Sequence, residues 1–170
     1  MRDPVYNALV ICTGNSARSI FAEVLINRWG GGHIRAFSAG SHPKGEVHPL
    51  ALALLRSKGL PTEGLRSKSW DEFAKGPDLD FVFTVCDNAA GEVCPYWPGK
   101  PIAAHWGVSD PAAVEGTLAA RRRAFLSAFS TLEARIKLFV SLPLRTLDKM
   151  RLQAHIEEIG KAAPPADDAR

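Results

Sequence analysis

Val10-Ile11-Cys12-Thr13-Gly14-Asn15-Ser16-Ala17-Arg18-Ser19 leaves an apolar, strand-like run and enters a helical pattern at Ile20-Phe21-Ala22-Glu23. A loop that opens a helix aims free N–H groups inward. The helix dipole adds positive potential there, so such a loop suits an anion. Gly14 and Asn15 tolerate the left-handed dihedrals that curl the amides of Thr13, Gly14, Asn15, Ser16 and Ala17 into a nest. Arg18 can close the ring with a planar fork that matches two oxygens of a tetrahedral oxyanion. Cys12 lies at the base of this cradle, a setting that favours a thiolate, and the Ser19 hydroxyl can donate to its sulfur. The pattern places a nucleophile directly beneath a phosphate-like anion.

On either side of the loop the chain alternates strands with helices. Val5 to Ile11 reads as the first strand and Ala17 to about Trp29 as the helix after it, ended by Gly30-Gly31-Gly32. His33 to Ser38 is a second strand, closed by Ala39-Gly40, and Val47 to Lys58 a second helix with Pro49 near its start. A short helix at Ser69 to Phe73 is capped by Ser67 or Ser69. Leu79 to Val85 is a third strand, apolar enough for burial on both faces, and Ile102 to His105 a fourth. From Thr117, Phe125, Phe129, Leu132, Ile136 and Phe139 mark one face of a long helix. Pro143 interrupts it, and a last helix is predicted from Leu144 to Ile159 with Gly160 after it. Alternating strands and helices imply parallel β-α-β units in a single α/β domain over residues 1–161, with 162–170 a frayed polar tail. In such sheets ligands bind beyond the carboxyl ends of the strands, where Cys12 would sit.

Composition narrows the functional classes. With 170 residues, 46% hydrophobic and 23% charged, the chain has the makeup of one soluble globular domain. Its longest uninterrupted apolar run, Leu50 to Leu55, is far short of a membrane span, and Met1-Arg2-Asp3-Pro4 leaves no room for a signal peptide. A cytoplasmic protein with no membrane partner is expected. The net charge is +3, and its densest basic cluster, Arg121-Arg122-Arg123, falls on a predicted helix and reads as a solvated face, not a nucleic-acid patch. Three cysteines in such a chain argue against a structural disulfide framework and for nucleophilic or redox use, or for plain burial. No Cys or His spacing suits zinc, so no metal site is expected, and the five scattered histidines receive no role.

Cys12-Thr13-Gly14-Asn15-Ser16-Ala17-Arg18-Ser19 resembles the C-x5-R-S loop of the low-molecular-weight protein tyrosine phosphatase superfamily, which includes the thioredoxin-coupled arsenate reductases. The resemblance spans about residues 7 to 140 and implies a four-stranded parallel sheet in flavodoxin-like order. It also implies that Asp110, in Asp110-Pro111, is the general acid for the leaving oxygen; on its own an Asp-Pro pair is ordinary turn chemistry. The tyrosines that usually follow this pair in the phosphatases are replaced by Ala112-Ala113. Asp87-Asn88-Ala89-Ala90-Gly91-Glu92-Val93-Cys94-Pro95, preceded by Cys86 and followed later by His105-Trp106-Gly107, resembles the redox loop of the arsenate reductases. Read without the resemblance, Cys86 is a core cysteine and Cys94 an incidental loop residue.

Two departures stand out. Ala17 occupies a position where many relatives carry a second loop cysteine, and the Cys86–Cys94 gap is one residue wider than in the best-known reductases. Asn15, Glu23 and Ser38 match positions that bind a potassium ion in some relatives, but the favoured reading of each is plain loop or helix-end hydrogen bonding. No cofactor is otherwise implied.

The leading expectation is a thiol-dependent arsenate reductase in which Cys12, Cys86 and Cys94 act in that order, with thioredoxin or glutathione and glutaredoxin as reductant. A phosphatase acting through a phosphocysteine needs only Cys12, Arg18 and Asp110 and is the alternative. A non-catalytic oxyanion-sensing module is a third reading, disfavoured by the intact set of reactive residues.

Overall fold

The computed structural model describes residues 4–86 and 97–161. Four parallel strands, β1 (Tyr6–Cys12), β2 (Ile34–Gly40), β3 (Phe81–Thr84) and β4 (Ile102–His105), form one sheet in the order β2-β1-β3-β4. Ala8, Leu9, Val10 and Ile11 of β1 are all 0–1% exposed, as a central parallel strand covered on both faces requires. The strand order reverses at β1, with β2 on one side and β3 on the other. That reversal opens the crevice beyond the carboxyl end of β1 in which parallel α/β sheets bind ligands.

Helices α1 (Arg18–Trp29), α2 (Pro49–Ser57), α3 (Leu118–Val140) and α4 (Lys149–Lys161) cover the sheet. Phe125 and Phe129, from the apolar stripe of α3, pack edge-on against Phe21 of α1. Farther along α3, Phe139 meets Phe81, Phe83 and Trp106. Such edge-to-face pairs add to the area burial of large rings. The long third helix is therefore the clamp that joins α1 to the β3–β4 half of the sheet.

Element bounds differ from the sequence reading in instructive ways. β1 and β2 run on to Cys12 and Gly40, because the pairing Cys12↔Gly40 continues the ladder to the edge of the loop. β3 is shorter than expected, although the Val85 N–H still bonds to the Ile11 carbonyl. Ser69, not Ser67, caps the short 3-10 turn Trp70–Phe73 by accepting from the Asp71 N–H. The last helix begins at Lys149 instead of Leu144, since the Thr146 and Leu147 amides both turn back to the Pro143 carbonyl and Asp148 Oδ1 accepts from the Arg151 N–H.

Gly160 lies inside that helix, not after it. A Cβ there would come within 2.6 Å of the Trp106 ring and 2.7 Å of the His105 carbonyl, so glycine permits close docking here and is not a stop. Trp106 Nε1 donates to the Ile156 carbonyl at 2.9 Å, and Gln153 and Lys149 donate to the carbonyls of Ala103 and Lys100. α4 thus covers the edge strand β4 and blunts it as a site for further pairing.

Candidate active site

The loop between β1 and α1 is shaped by what its carbonyls do. Those of Cys12, Thr13, Gly14 and Ser16 accept from the N–H groups of Ser41, His42, Lys44 and His48 respectively, and the Ser67 hydroxyl also donates to Gly14 O. With the carbonyls held outward by residues 41–48, the intervening amides are free to turn inward. Asn15 has φ +47°, the left-handed conformation that such a curl needs. Gly40 makes the close packing possible. A Cβ there would lie 2.4 Å from the Thr13 carbonyl oxygen and 3.0 Å from Asn15 Cβ. No side chain caps the start of α1, so its amides stay available to the loop.

Around the sulfur of Cys12, a residue 2% exposed, the polarity of the hydrogen bonds is fixed step by step. The Asn15 N–H donates to Sγ at 3.1 Å, and Ser19 Oγ lies 2.9 Å away. Asn15 Nδ2 donates to both Ser19 Oγ (2.8 Å) and Ser38 Oγ (3.0 Å), while its Oδ1 accepts from the Lys68 N–H at 2.9 Å. Ser19 therefore receives a hydrogen from Asn15, and its own hydroxyl hydrogen is left for the Cys12 sulfur. Ser38 in turn donates to Glu23 Oε1 at 2.6 Å. The residues matched to a potassium site thus bond to one another and to Ser19, Cys12 and Lys68.

Cys86, also buried, sits just past β3 and meets the same loop. The Thr13 N–H donates to its sulfur at 3.2 Å, and Thr13 Oγ1 is 3.3 Å from it. Arg18 reaches across to the segment after β4. Nη1 donates to the Val108 carbonyl at 3.0 Å, and Nη2 lies 3.7 Å from Asp110 Oδ2. The other Asp110 oxygen accepts from the Ala112 N–H, which aims the carboxylate toward Arg18. Cys12, Arg18, Ser19, Cys86 and Asp110 are therefore brought together, whereas Cys94 and its loop lie outside the described residues.

Three residues of this neighbourhood escaped the sequence reading. Lys68 Nζ lies 3.7 Å from Glu23 Oε1 and donates to the Arg66 carbonyl, with only 9% of its side chain exposed. Burial pushes the Lys68 ammonium below its ordinary range, and Glu23 partly offsets that. Val108 offers only its backbone, which no side-chain motif reveals. His48 bonds to the loop through its N–H, caps α2 by accepting from the Leu50 N–H at Nδ1, and packs at a tilt against Phe125. Burial, and then Arg121 and Lys44, lower its pKa from 6.5. Its only sequence signal was the following Pro49 at the helix start. Among the described residues no group of three His, Cys, Asp or Glu side chains is arranged to hold a metal ion, and no helix is long and apolar enough to cross a membrane.

Comparison with known proteins gives a consistent picture. A family model described as low molecular weight phosphotyrosine protein phosphatase matches residues 7–151. An arsenate reductase of Halalkalibacterium halodurans is 35% identical over 130 residues, covering 76% of this chain and 91% of the relative. The crystal structure of an arsenate reductase from Archaeoglobus fulgidus superposes with a TM-score of 0.61 at 27% identity, over 79% of this chain and 99% of the other. The thioredoxin-dependent arsenate reductase of Corynebacterium glutamicum superposes with a TM-score of 0.58 at 27% identity, over 81% of this chain. This chain spans 61% of the length of that Corynebacterium protein.

Proposed function

The chain belongs to the low molecular weight phosphotyrosine protein phosphatase family, and on that premise we propose that it is a thiol-dependent arsenate reductase. One observation carries this reading beyond its relatives' activity. Two buried thiols share a single anion loop, Cys12 on the Asn15 amide and Cys86 on the Thr13 amide. A phosphatase has use only for the first.

Arsenate enters the amide nest and is gripped by the Arg18 fork, which exchanges its contact with Asp110 for oxyanion oxygens. The Cys12 thiolate, held by the Asn15 amide and the Ser19 hydroxyl, attacks arsenic. Asp110 gives its proton to the departing oxygen, which leaves as water. Cys86 then attacks the Cys12 sulfur, and its thiol proton passes to an oxygen of the departing arsenic group. The S–As bond breaks with its electron pair remaining on arsenic, so As(V) becomes As(III) and leaves as arsenite while a Cys12–Cys86 disulfide forms. The two electrons come from the two thiols. Cys94 next attacks Cys86, freeing the Cys12 thiolate and making a Cys86–Cys94 disulfide that an external dithiol reduces. The thioredoxin dependence of the Corynebacterium relative favours thioredoxin over glutathione and glutaredoxin as that dithiol. The sequence of steps asks for no metal or organic cofactor.

The assay is arsenite formation from arsenate with a thioredoxin system, beside a glutathione–glutaredoxin system and a phosphate-ester control. Expected are arsenite with thioredoxin and only slow ester hydrolysis. Fast ester hydrolysis without arsenite would instead establish the phosphatase alternative, which Cys12, Arg18 and Asp110 suffice to support. Cys86→Ser separates the two chemistries: it should abolish multiple-turnover arsenate reduction and leave ester hydrolysis in place.

A further inference from the structure

The cluster behind the nucleophile does not suit a bound potassium ion. A hard cation needs several oxygen ligands. Asn15 presents its amide nitrogen to Ser19 and Ser38, and its oxygen is taken by the Lys68 N–H. Ser38 Oγ accepts from Asn15 and donates to Glu23. That leaves the Glu23 carboxylate as the main negative oxygen donor of the set, and Lys68 Nζ already lies 3.7 Å from its Oε1. The Lys68 and Glu23 side chains are 9% and 17% exposed, so both charges are largely removed from water and each needs the other.

From this arrangement we propose that Lys68 supplies, from within the chain, the positive charge that a monovalent cation would otherwise bring to Glu23, Ser38 and Asn15. It acts thereby as a positioning residue for Cys12. Lys68 holds the cluster at two points. Its N–H sets the orientation of the Asn15 amide, and its ammonium balances the carboxylate that orders Ser38. The consequence runs along one chain of contacts, from Lys68 to Glu23, Ser38, Asn15, Ser19 and Cys12. Loss of the ammonium leaves Glu23 without its counter-charge. A cluster relaxed in that way no longer holds Asn15 and Ser19 against the sulfur, and misplacement at a reacting centre is costly in rate.

The inference rests on Cys12 as nucleophile, so the main readout is Cys12 alkylation by iodoacetamide, followed by mass spectrometry of the Cys12 peptide. It reports on the sulfur whether or not arsenate is the substrate. Arsenite formation is measured in parallel, and its failure in the wild type would strike the reductase reading alone. Both are run in potassium chloride and in tetramethylammonium chloride at about 0.1 M ionic strength. The wild type should react equally fast in the two salts. Lys68→Met, which keeps bulk and removes charge, should alkylate roughly 10-fold to 100-fold more slowly. Lys68→Arg should recover most of that rate, and Lys68→Ala, which frees the Glu23 carboxylate and the Arg66 carbonyl that the ammonium occupies in the wild type, should be faster in potassium than in tetramethylammonium. A wild type that is itself accelerated by potassium would overturn the proposal. So would Lys68→Met reacting at the wild-type rate, or a Lys68→Ala defect indifferent to the salt.

Discussion

The two walls of the anion loop are built from different materials. On the β2 side, residues 40–48 hold the loop almost wholly through backbone hydrogen bonds, and Gly40 admits the Thr13 carbonyl where any side chain would collide. On the β3 and β4 side the contacts are made by the side chains to which the proposed chemistry is assigned: Cys86 on Thr13, and Arg18 on Val108 and Asp110. The first wall holds the amides in place. In the proposed mechanism the second must exchange partners during a turnover, because Arg18 turns to the oxyanion and Cys86 to the Cys12 sulfur. Backbone bonds suit a part that stays still, and side-chain contacts suit a part that moves.

Substitutions on the two walls should therefore fail in different ways. The largest effect is expected on the side-chain wall. Asp110→Asn removes the proposed proton donor and should slow the first chemical step by ~10²–10⁴-fold, read as single-turnover loss of arsenate, with the urea midpoint close to wild type. An unchanged single-turnover rate would remove Asp110 from the site.

On the backbone wall, Gly40→Ala should show the reverse order of damage. Its Cβ would press on the Thr13 carbonyl from 2.4 Å, so overpacking should cost about 1–3 kcal/mol in urea denaturation. Activity should fall because the loop is displaced. Full stability with intact activity would mean that this wall gives way more easily than its bonding suggests.

The smallest effect belongs to His48, which joins the backbone wall to α2. Its pKa is lowered by burial, so the folded protein prefers the neutral ring, and the Leu50 cap needs Nδ1 without a proton. The stability it contributes is complete above pH 6.5 and is lost as the pH falls through its lower folded-state value. His48→Asn keeps a cap that does not titrate. The variant should flatten this part of the stability profile when chemical denaturation midpoints are followed from neutral to mildly acidic pH. A His48→Asn profile that still drops with the wild-type slope would place the titrating group elsewhere.

Much of the site was legible in the chain because its grammar is local. Cys12, Gly14, Asn15, Arg18 and Ser19 lie within a single strand-loop-helix turn, and the physics of a helix start reads directly from their order. The strands and the long aromatic stripe of α3 were legible for a like reason, since periodicity is a property of neighbours along the chain. Asp110 and Cys86 carried weight only through the resemblance to a family. An Asp-Pro pair or a cysteine after a strand has no distinctive local physics.

What the tertiary structure decided lies at long range. Lys68 reads as one basic residue among 21, until the fold sets it against Glu23 and Asn15, which lie 45 and 53 positions away along the chain. The Val108 carbonyl becomes a partner of Arg18 only because β4 lies beside β3, and backbone atoms are the same in every sequence. Gly160 looked like the end of a helix and proved to be the point where α4 closes on Trp106. The Cys12 loop could be foreseen because a helix start orients its own amides. The charge behind it could not, because side chains far apart in sequence meet only when the packing of the whole sheet brings them together.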